Sequence, residues 1–530
     1  MVVVAATTEE ERLKRLIATL AILALLVGAL AAPATTGAAP GGQGYLIGST
    51  NPLTAGQVGQ LRAAGAAVKH VYQNFGGASA VIPNGKLAAV RALPFVTSVN
   101  ADPLRQLDSV EAVGAGEVPT SDAAPNLPGT PYWLDLIDAD KNTEFTGDGV
   151  WVAVLDGGMF PGWEKFFNPD SILTQYGRSF EGASVVGSQN WASGSDPHGM
   201  AVAGTIVGYW MHDGVKEGGW GEGFVTGAAG SYWHPGVAPD AKIIPVQVCI
   251  PIGCFGSAIN AAIDYVTSIK MANPNQPIVI NMSLGGAGID PVEKAALDAA
   301  IGAGVVVVAS AGNSGNAGMG FPGAYEPVIS TAAGGWVDQW TSLPSKSWYL
   351  ADVPEGDIDE VFVADFSSRQ LAGQYLDVTS TGRFMLLPYP CVNLYKDGQV
   401  VQRTNVKMCA SKADASNPSA APFQYLFMSG TSFSAPTVSG IVALMLEKDP
   451  SLSNDDADFG TIGDHLTWGP GSLELMLEGS ATDIPGRAVT VKHRTGVDDP
   501  ECWETGASGC ILEATGAGWV YVDDALNAVP

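Results

Sequence analysis

The arrangement of hydrophobic residues along the chain predicts two units, a small one followed by a large one. Between residues 45 and 107, stretches with helical spacing, GQVGQLRAAGA and NGKLAAVRAL, alternate with the β-rich stretches AAVKHVYQNF, GASAVIP and FVTSVNAD. This alternation predicts a compact α+β domain over residues 43–108. The following residues 109–130 are small and polar and contain proline, which predicts a linker.

From residue 131 onward, apolar strands alternate with amphipathic helices. The strand segments are GVWVAVLD, AKIIPVQV, PIVINMSL and VVVVASAGN, and the helix after the second has apolar residues at i, i+3, i+4, i+7 and i+10. Strands this apolar are covered on both faces, and helical crossovers between them imply parallel pairing. Residues 131–530 are therefore predicted to form an α/β fold, a doubly wound, mostly parallel sheet with helices on both faces. Functional loops of such sheets lie at the carboxyl ends of the strands, where Asp156 and Asn313 each close a strand.

The net charge of the chain excludes one class of binding partner. The chain of 530 residues is 46% hydrophobic and carries a formal net charge of −27. An acidic surface repels phosphate backbones, so we expect no nucleic-acid partner.

Residues 1–32 have the pattern of a signal peptide, because the basic segment RLKR precedes an uncharged apolar run and a small-residue exit. The run is near the lower limit for a bilayer span, so an uncleaved anchor stays open, and contact with a membrane is expected only if the segment is retained. Both interpretations predict an extracellular location. The six cysteines agree with it, since three pairs close in sequence favour three local disulfides and none has zinc-site spacing. The pairs are Cys249 and Cys254, Cys391 and Cys409, and Cys502 and Cys510.

Ser432 lies in the stretch FMSGTSFSAP, just before an apolar segment of helical period. A hydroxyl there can cap the helix, and it can also act as a nucleophile, because the helix dipole favours negative charge at that end. A nucleophilic serine needs a histidine base held by a carboxylate. His198, in SDPHGMAVAGTIVG, and Asp156, in VAVLDGG, have the required types, and the amide of Asn313 could hold an oxyanion. Each also has a structural interpretation, as a helix cap, a core histidine or a turn residue.

Taken together, the segments VAVLDGG, HGMAVAGTI, INMSLGG, VVVVASAGNSG and SGTSFSAPTVSGIVALM resemble the subtilisin-like serine proteases, the subtilases. The resemblance covers the chain from residue 131 to its end. It implies Asp156 as the orienting carboxylate, His198 as general base and acid, and Ser432 as nucleophile. It also implies that Asn313 and the backbone N–H of Ser432 form an oxyanion hole.

The same resemblance implies a substrate-binding edge at Ser283, Leu284 and Gly285, which would pair with an extended substrate. No cofactor is expected for catalysis and no metal is assigned, although the family often binds structural calcium. Beside the catalytic positions, Gly157, Met200 and Phe433 depart from the residues usual in the family, which puts rate and pocket shape in question. Two insertions, 336–361 and 389–423, either shape the cleft or form surface loops.

Residues 43–108 resemble the subtilase propeptide, a ferredoxin-like domain. The resemblance implies that this unit assists folding, inhibits the enzyme by occupying its cleft, and is removed by the enzyme itself between about residues 103 and 131. The prediction is a secreted, monomeric serine endopeptidase acting on proteins or peptides and made as a self-processed pre-pro-enzyme. Two alternatives stay open, a catalytically silent extracellular scaffold protein and a hydrolase of small esters.

Overall fold

The computed structural model describes fifteen ranges and two single residues of the chain. They are 42–107, 111–114, 130–180, 190–194, 196–212, 215–216, 220–221, 231–336, 353, 361–389, 393–396, 399–402, 412–414, 423–454, 473–482, 484 and 514–530. The predicted signal peptide, the predicted disulfides of Cys391, Cys409, Cys502 and Cys510, and most of the linker and of the insertion at 336–361 lie outside them. Within the described ranges, no helix has the length and apolar character needed to span a membrane.

The small unit is an α+β domain with its own hydrophobic core. Its elements are β1 (Gln43–Gly48), α1 (Ala55–Ala63), β2 (Ala67–Val71), β3 (Gly77–Ile82), α2 (Leu87–Arg91) and β4 (Ser98–Ala101). The antiparallel strands follow the order β2-β3-β1-β4, which is the ferredoxin-like arrangement. Helix α1 begins with a capping box in which Thr54 and Gln57 pair reciprocally. Ile47, Leu61 and Ile82 are fully buried between the helices and the sheet.

Two short strands follow the small unit and pair with the large one. They are β5 (Leu104–Leu107) and β6 (Glu111–Gly114), the latter lying within the predicted linker. Strand β5 pairs at Leu107 with Leu284, whereas β6 pairs at Glu111 with Ser429. The chain therefore makes contact with two different strands of the large unit within a few residues.

The large unit is built on one mixed sheet. The strands that follow β6 are, in chain order, β7 (Trp151–Asp156), β8 (Arg178–Ser179), β9 (Tyr209–His212), β10 (Val215–Lys216), β11 (Trp220–Gly221), β12 (Ser231–His234), β13 (Lys242–Gln247), β14 (Cys249–Ile250), β15 (Gly253–Phe255), β16 (Ile278–Met282), β17 (Leu284–Gly285), β18 (Val305–Ser310), β19 (Ile329–Trp336), β20 (Val361–Val363), β21 (Val378–Thr381), β22 (Met385–Pro388), β23 (Asn393–Lys396), β24 (Gln399–Gln402), β25 (Lys412–Asp414) and β26 (Phe423–Ser429). The main sheet has the order β20-β19-β18-β16-β7-β13-β8, with β21 beside β19. Only the pair of β19 and β20 is antiparallel among the described pairs of this sheet.

The helices of the large unit cover both faces of that sheet. They are α3 (Tyr132–Asp135), α4 (His198–Val207), α5 (Gly256–Ala272), α6 (Pro291–Gly302), α7 (Thr431–Lys448), α8 (Leu473–Ser480) and α9 (Val522–Ala528). Alternate residues of β7 face opposite cores: Val152 and Val154 pack in the core with α4 and α7, and Ala153 and Leu155 pack in the core with α5 and α6. The predicted α/β fold, with a mostly parallel sheet between two helical layers, is confirmed.

A cluster of carboxyl groups joins α8 to the sheet. Asp377 precedes β21, Glu474 and Glu478 belong to α8, and one carboxylate oxygen from each lies within 4.8 Å of the others. Ser330 donates to Oδ2 of Asp377 from its backbone N at 2.6 Å and from its Oγ at 2.7 Å. Burial raises the pKa of Asp377 to about 6, and burial together with the charge of Asp377 raises the pKa of Glu478 to about 8. Three carboxyl groups at this spacing could hold a cation, and we assign none to them.

We expect this cluster to make the protein less stable at alkaline pH. Both pKa values lie above those of unfolded carboxyl groups, so the stabilisation is complete at low pH and is lost as the pH rises through about 6 and then about 8. Between about pH 5 and about pH 9, the free energy of unfolding in urea titrations should fall by at least about 1.4 kcal/mol, the value of one pKa unit. Glu478→Gln keeps that side chain neutral and should flatten the upper part of the profile. An unchanged profile in this variant would contradict the prediction.

Candidate active site

The predicted catalytic residues lie at one edge of the main sheet. Asp156 is the last residue of β7, His198 begins α4, Asn313 follows β18 and Ser432 is in the first turn of α7. The chain passes from β7 to β13 on one side and then to β16 and β18 on the other. Such a reversal opens a crevice at the carboxyl ends of the strands, and it explains why residues distant in sequence meet there.

The carboxylate of Asp156 holds the imidazole of His198. Nδ1 of His198 lies 2.9 Å from Oδ2 and 3.0 Å from Oδ1 of Asp156, and both residues are fully buried. The backbone N–H of Gly157 donates to Oδ1 of the same carboxylate at 2.5 Å. A carboxylate can only accept, so Nδ1 carries the proton of a neutral imidazole and Nε2 is the basic nitrogen.

Asp196 and Tyr389 support the helix that carries His198. The backbone N–H of His198 donates to Oδ1 of Asp196 at 3.0 Å, and the hydroxyl of Tyr389 donates to the same oxygen at 2.9 Å. Burial raises the pKa of the Asp196 carboxyl. A Cβ at Gly157 would lie 2.8 Å from the carbonyl oxygen of Asp196, so the glycine at this departure from the family pattern permits the close approach.

Neither supporting residue is predicted from the sequence. An aspartate two residues before a histidine that starts a helix is a signal that could have identified Asp196. Tyr389 lies at the start of the insertion 389–423, and nothing in its local sequence indicates contact with a residue nearly two hundred positions earlier. The described part of that insertion also forms a three-stranded sheet of β24, β23 and β25.

Ser432 lies between the end of β16 and the helix that carries His198. Its Oγ donates to the carbonyl oxygen of Ser283 at 3.2 Å, and Oγ of Ser283 donates to the carbonyl oxygen of Ser432 at 2.7 Å. The ring of Phe433, the next residue, lies 5.4 Å from the ring of His198. The first N–H groups of a helix have no intrahelical acceptor, so the backbone N–H of Ser432 is suited to donate to an anion.

The amide of Asn313 is oriented by the start of α7. Its Oδ1 accepts from the backbone N–H of Thr431 at 3.0 Å and from the hydroxyl of Thr431 at 3.1 Å. The N–H group can only donate, which fixes Oδ1 toward α7 and turns Nδ2 away from it. The side chain is half-buried at the edge of the crevice.

Strand β5 fills a groove between two edge strands, β15 and β17, which we call the cleft. Leu107 and Gln106 pair with Leu284 and Gly285, and on the other side Arg105 pairs with Cys254. The predicted residues Leu284 and Gly285 form one wall, and Ser283 precedes them beside Ser432. The other wall, β15, was not predicted. Its partner strand β14 is joined to it by the predicted disulfide of Cys249 and Cys254, which is present with a Cα–Cα distance of 4.1 Å.

Comparison with known proteins identifies the relatives of this chain. The Subtilase family matches residues 147–478. Subtilisin DY from Bacillus licheniformis is 28% identical over 357 residues, which are 65% of this chain and 97% of that protein. Serine protease AprX from Bacillus subtilis (strain 168) is 29% identical over 325 residues, 59% of this chain and 60% of that protein.

One solved structure shows the same fold over nearly the whole chain. Fervidolysin from Fervidobacterium pennivorans, a keratinolytic enzyme related to subtilisin, has a TM-score of 0.56 at 22% identity, with 94% of this chain and 63% of that chain covered. The family match, in contrast, rests on sequence and spans well over half of the 530 residues. It includes Asp156, His198 and Asn313 as well as Ser432. The resemblance noted in the sequence is confirmed: the chain belongs to the Subtilase family, and it is a subtilisin-like serine endopeptidase.

Proposed function

We propose that this protein is a secreted endopeptidase that cleaves peptide bonds through Ser432, His198 and Asp156 and an acyl-enzyme intermediate. The contact of Nδ1 of His198 with both oxygens of Asp156, at 2.9 and 3.0 Å, carries the proposal. It leaves the basic Nε2 on the side of the imidazole opposite the carboxylate, as general base catalysis requires. The substrates are proteins or peptides.

In the first half of the reaction, Oγ of Ser432 attacks the carbonyl carbon of the substrate while Nε2 of His198 takes the hydroxyl proton. Oγ turns from the carbonyl oxygen of Ser283, its acceptor at 3.2 Å, toward the imidazole. Nδ2 of Asn313 and the backbone N–H of Ser432 donate to the oxyanion of the tetrahedral intermediate. His198 then gives its proton to the leaving amine, and the C–N bond breaks.

In the second half, water takes the place of the leaving amine. His198 accepts a proton from the water, whose oxygen attacks the acyl carbon, and the C–O bond to Ser432 breaks as the proton passes to Oγ. The buried carboxylate of Asp156 stabilises the imidazolium formed in each half. These steps use the side chains named, the backbone N–H of Ser432 and one water molecule.

Residues 43–108 act, we propose, as a propeptide that inhibits the enzyme until it is removed. The support is the position of β5, which is antiparallel to β17 as an extended substrate would be. The small unit is further attached through Asp264 of α5, whose carboxylate accepts from the backbone N–H groups of Gln73 and Asn74 at 2.9 Å each. Residues 1–32 act as the signal for secretion, and the mature enzyme works as a monomer.

The enzyme should cut its own chain between Leu107 and Glu111. Leu107 pairs with Leu284, which follows Ser283 and its contact with Ser432, and Glu111 pairs with Ser429, three residues before Ser432, so both ends of the connecting segment are held near the nucleophile. N-terminal sequencing and intact mass of the secreted protein should give a mature start at one of residues 108–111.

The full-length Ser432→Ala variant is the control and should keep the residues before the cut. Cleavage at the same bond in that variant would assign the cut to another protease, and a mature start outside 108–111 would contradict the position. A folded wild type that is neither cut nor active would favour the catalytically silent scaffold protein.

A further inference from the structure

One side chain of β5, that of Arg105, is far more buried than the side chains of its two neighbours. Arg105 is 1% exposed, whereas Leu104 is 40% exposed and Gln106 lies at the surface. An extended strand presents alternate side chains to opposite sides, so Arg105 and Leu107 face the large unit, and Arg105 is the more deeply buried of the two. Its backbone pairs with Cys254 of β15.

The guanidinium of Arg105 is bound by Glu293, in the first turn of α6. Nε donates to Oε1 of Glu293 at 2.8 Å, and Nη2 donates to Oε2, in the bidentate geometry typical of strong arginine–carboxylate pairs. Nη2 also donates to the carbonyl oxygen of Gly288 at 3.0 Å. We call the site formed by Glu293, Gly288 and Gly286 the arginine pocket.

The pocket has room for a long side chain because Gly286 has none. A Cβ at this position would lie 3.0 Å from Nη1 and 3.4 Å from Cγ of Arg105. Gly286 directly follows Gly285, which pairs with Gln106. The pocket is therefore continuous with the cleft wall, and a side chain of a strand in the cleft can enter it.

Glu293 belongs to the enzyme, whereas the cation paired with it belongs to the segment that is removed. Glu293 is fully buried, and burial raises the pKa of its carboxyl although Arg105 acts in the opposite direction. A buried carboxylate that loses its partner is costly, so release of β5 leaves a site that favours another cation. The net charge of −27 would also attract cationic peptides to the protein.

We infer that the arginine pocket determines specificity: it binds an arginine of any strand in the cleft, first that of the propeptide and then that of substrates. The inference rests on the proposed function and names a substrate class for it. In a substrate that follows the register of β5, the arginine lies two residues before the residue that pairs with Leu284. The competing interpretation is that the pair of Arg105 and Glu293 serves only to attach the propeptide.

Peptide hydrolysis by the mature enzyme tests selection of substrates. The probes are internally quenched peptides with the sequence of residues 102–113, DPLRQLDSVEAV, and the same peptide with Leu or Gln in place of arginine. The wild type should show kcat/KM about 10–100-fold higher for the arginine peptide, from two charge-assisted hydrogen bonds. Glu293→Gln should lose most of this preference, so that its kcat/KM values for the arginine and glutamine peptides become nearly equal. Lys294→Gln, at an exposed position of the same helix, is the matched control and should keep the wild-type preference.

Hydrogen exchange in the full-length Ser432→Ala protein tests recognition without catalysis. In this background, Arg105→Gln and Glu293→Gln should each speed the exchange of the backbone amides of residues 104–107 about 10–100-fold. The double variant should exchange no faster than the single ones, because both remove the same interaction.

An equal preference for the arginine peptide in wild type and Glu293→Gln would overturn the inference, as would unchanged exchange in both single variants. Loss of protection in the exchange experiment with no substrate preference would restrict the pocket to propeptide attachment and overturn its role in specificity. A folded wild type that cleaves no peptide, while exchange still depends on Glu293, would instead overturn the proposed function and leave recognition of arginine standing.

Discussion

Ser432→Ala should lower kcat/KM for peptide hydrolysis by about 10⁴-fold or more, because it removes the only atom that forms the acyl bond in the proposed mechanism. Oγ of Ser432 is buried at the start of α7. Among the contacts described, its one hydrogen bond is the bond that it donates to the carbonyl oxygen of Ser283. The protein should therefore fold as the wild type does. The measurement is hydrolysis of a quenched peptide, with labelling of the protein by a fluorophosphonate probe as a second readout.

The matched control for this variant is Ser434→Ala. Ser434 lies two residues along the same helix, is equally buried, and donates its Oγ to the carbonyl oxygen of Thr431 at 3.0 Å. It should keep both hydrolysis and labelling. Labelling that persists in Ser432→Ala, or that disappears in Ser434→Ala with the fold intact, would show that another group is the nucleophile.

The fold of the large unit could be predicted because it depends on local patterns. A strand buried on both faces must be apolar throughout, and β7, β16 and β18 satisfy this in sequence. The positions of Asp156 and Asn313 followed from the same pattern, since parallel strands bring their carboxyl ends to one edge. His198 and Ser432 followed from motif types and from the family resemblance, because no periodicity places them.

The contacts that the sequence did not reveal are those between segments far apart in the chain. The second cleft wall, β15, has only three residues and no strand-like period, so its role depends on the hairpin with β14 and on pairing with β5. The support of His198 by Tyr389 joins the catalytic helix to an insertion. The pair of Arg105 and Glu293 crosses nearly two hundred positions and becomes visible only when the register of β5 is known.

These contacts support the proposed role of residues 43–108 as an inhibitory propeptide. Residues 43–108 contribute a strand to the cleft, a buried cation to the arginine pocket, and a cap to α5, where the carboxylate of Asp102 accepts from the backbone N–H of Ser257 at 2.8 Å. Burial raises the pKa of Asp102 to about 6. Each contact pairs polar groups of the two units, so the proposed removal of residues 43–108 would leave the groups of the large unit to pair with a substrate or with water.

Asp156→Asn should lower kcat by about 10⁴-fold with little change in KM, because it reverses the hydrogen bond that orients His198. The amide oxygen of an asparagine would keep the bond from the backbone N–H of Gly157, which leaves the NH₂ group facing Nδ1 of His198. Nδ1 must then accept, so the imidazole proton moves to Nε2 and the base that should receive the proton of Ser432 is already protonated. Nitrogen NMR of the imidazole would detect this change of tautomer beside the steady-state kinetics.

Asp196→Asn is the matched control, since Asp196 accepts from the backbone N–H of His198 and not from its ring. If both variants lost activity equally, or if the tautomer were unchanged in Asp156→Asn, the carboxylate of Asp156 would act by supporting the structure of α4 and not by setting the proton of His198.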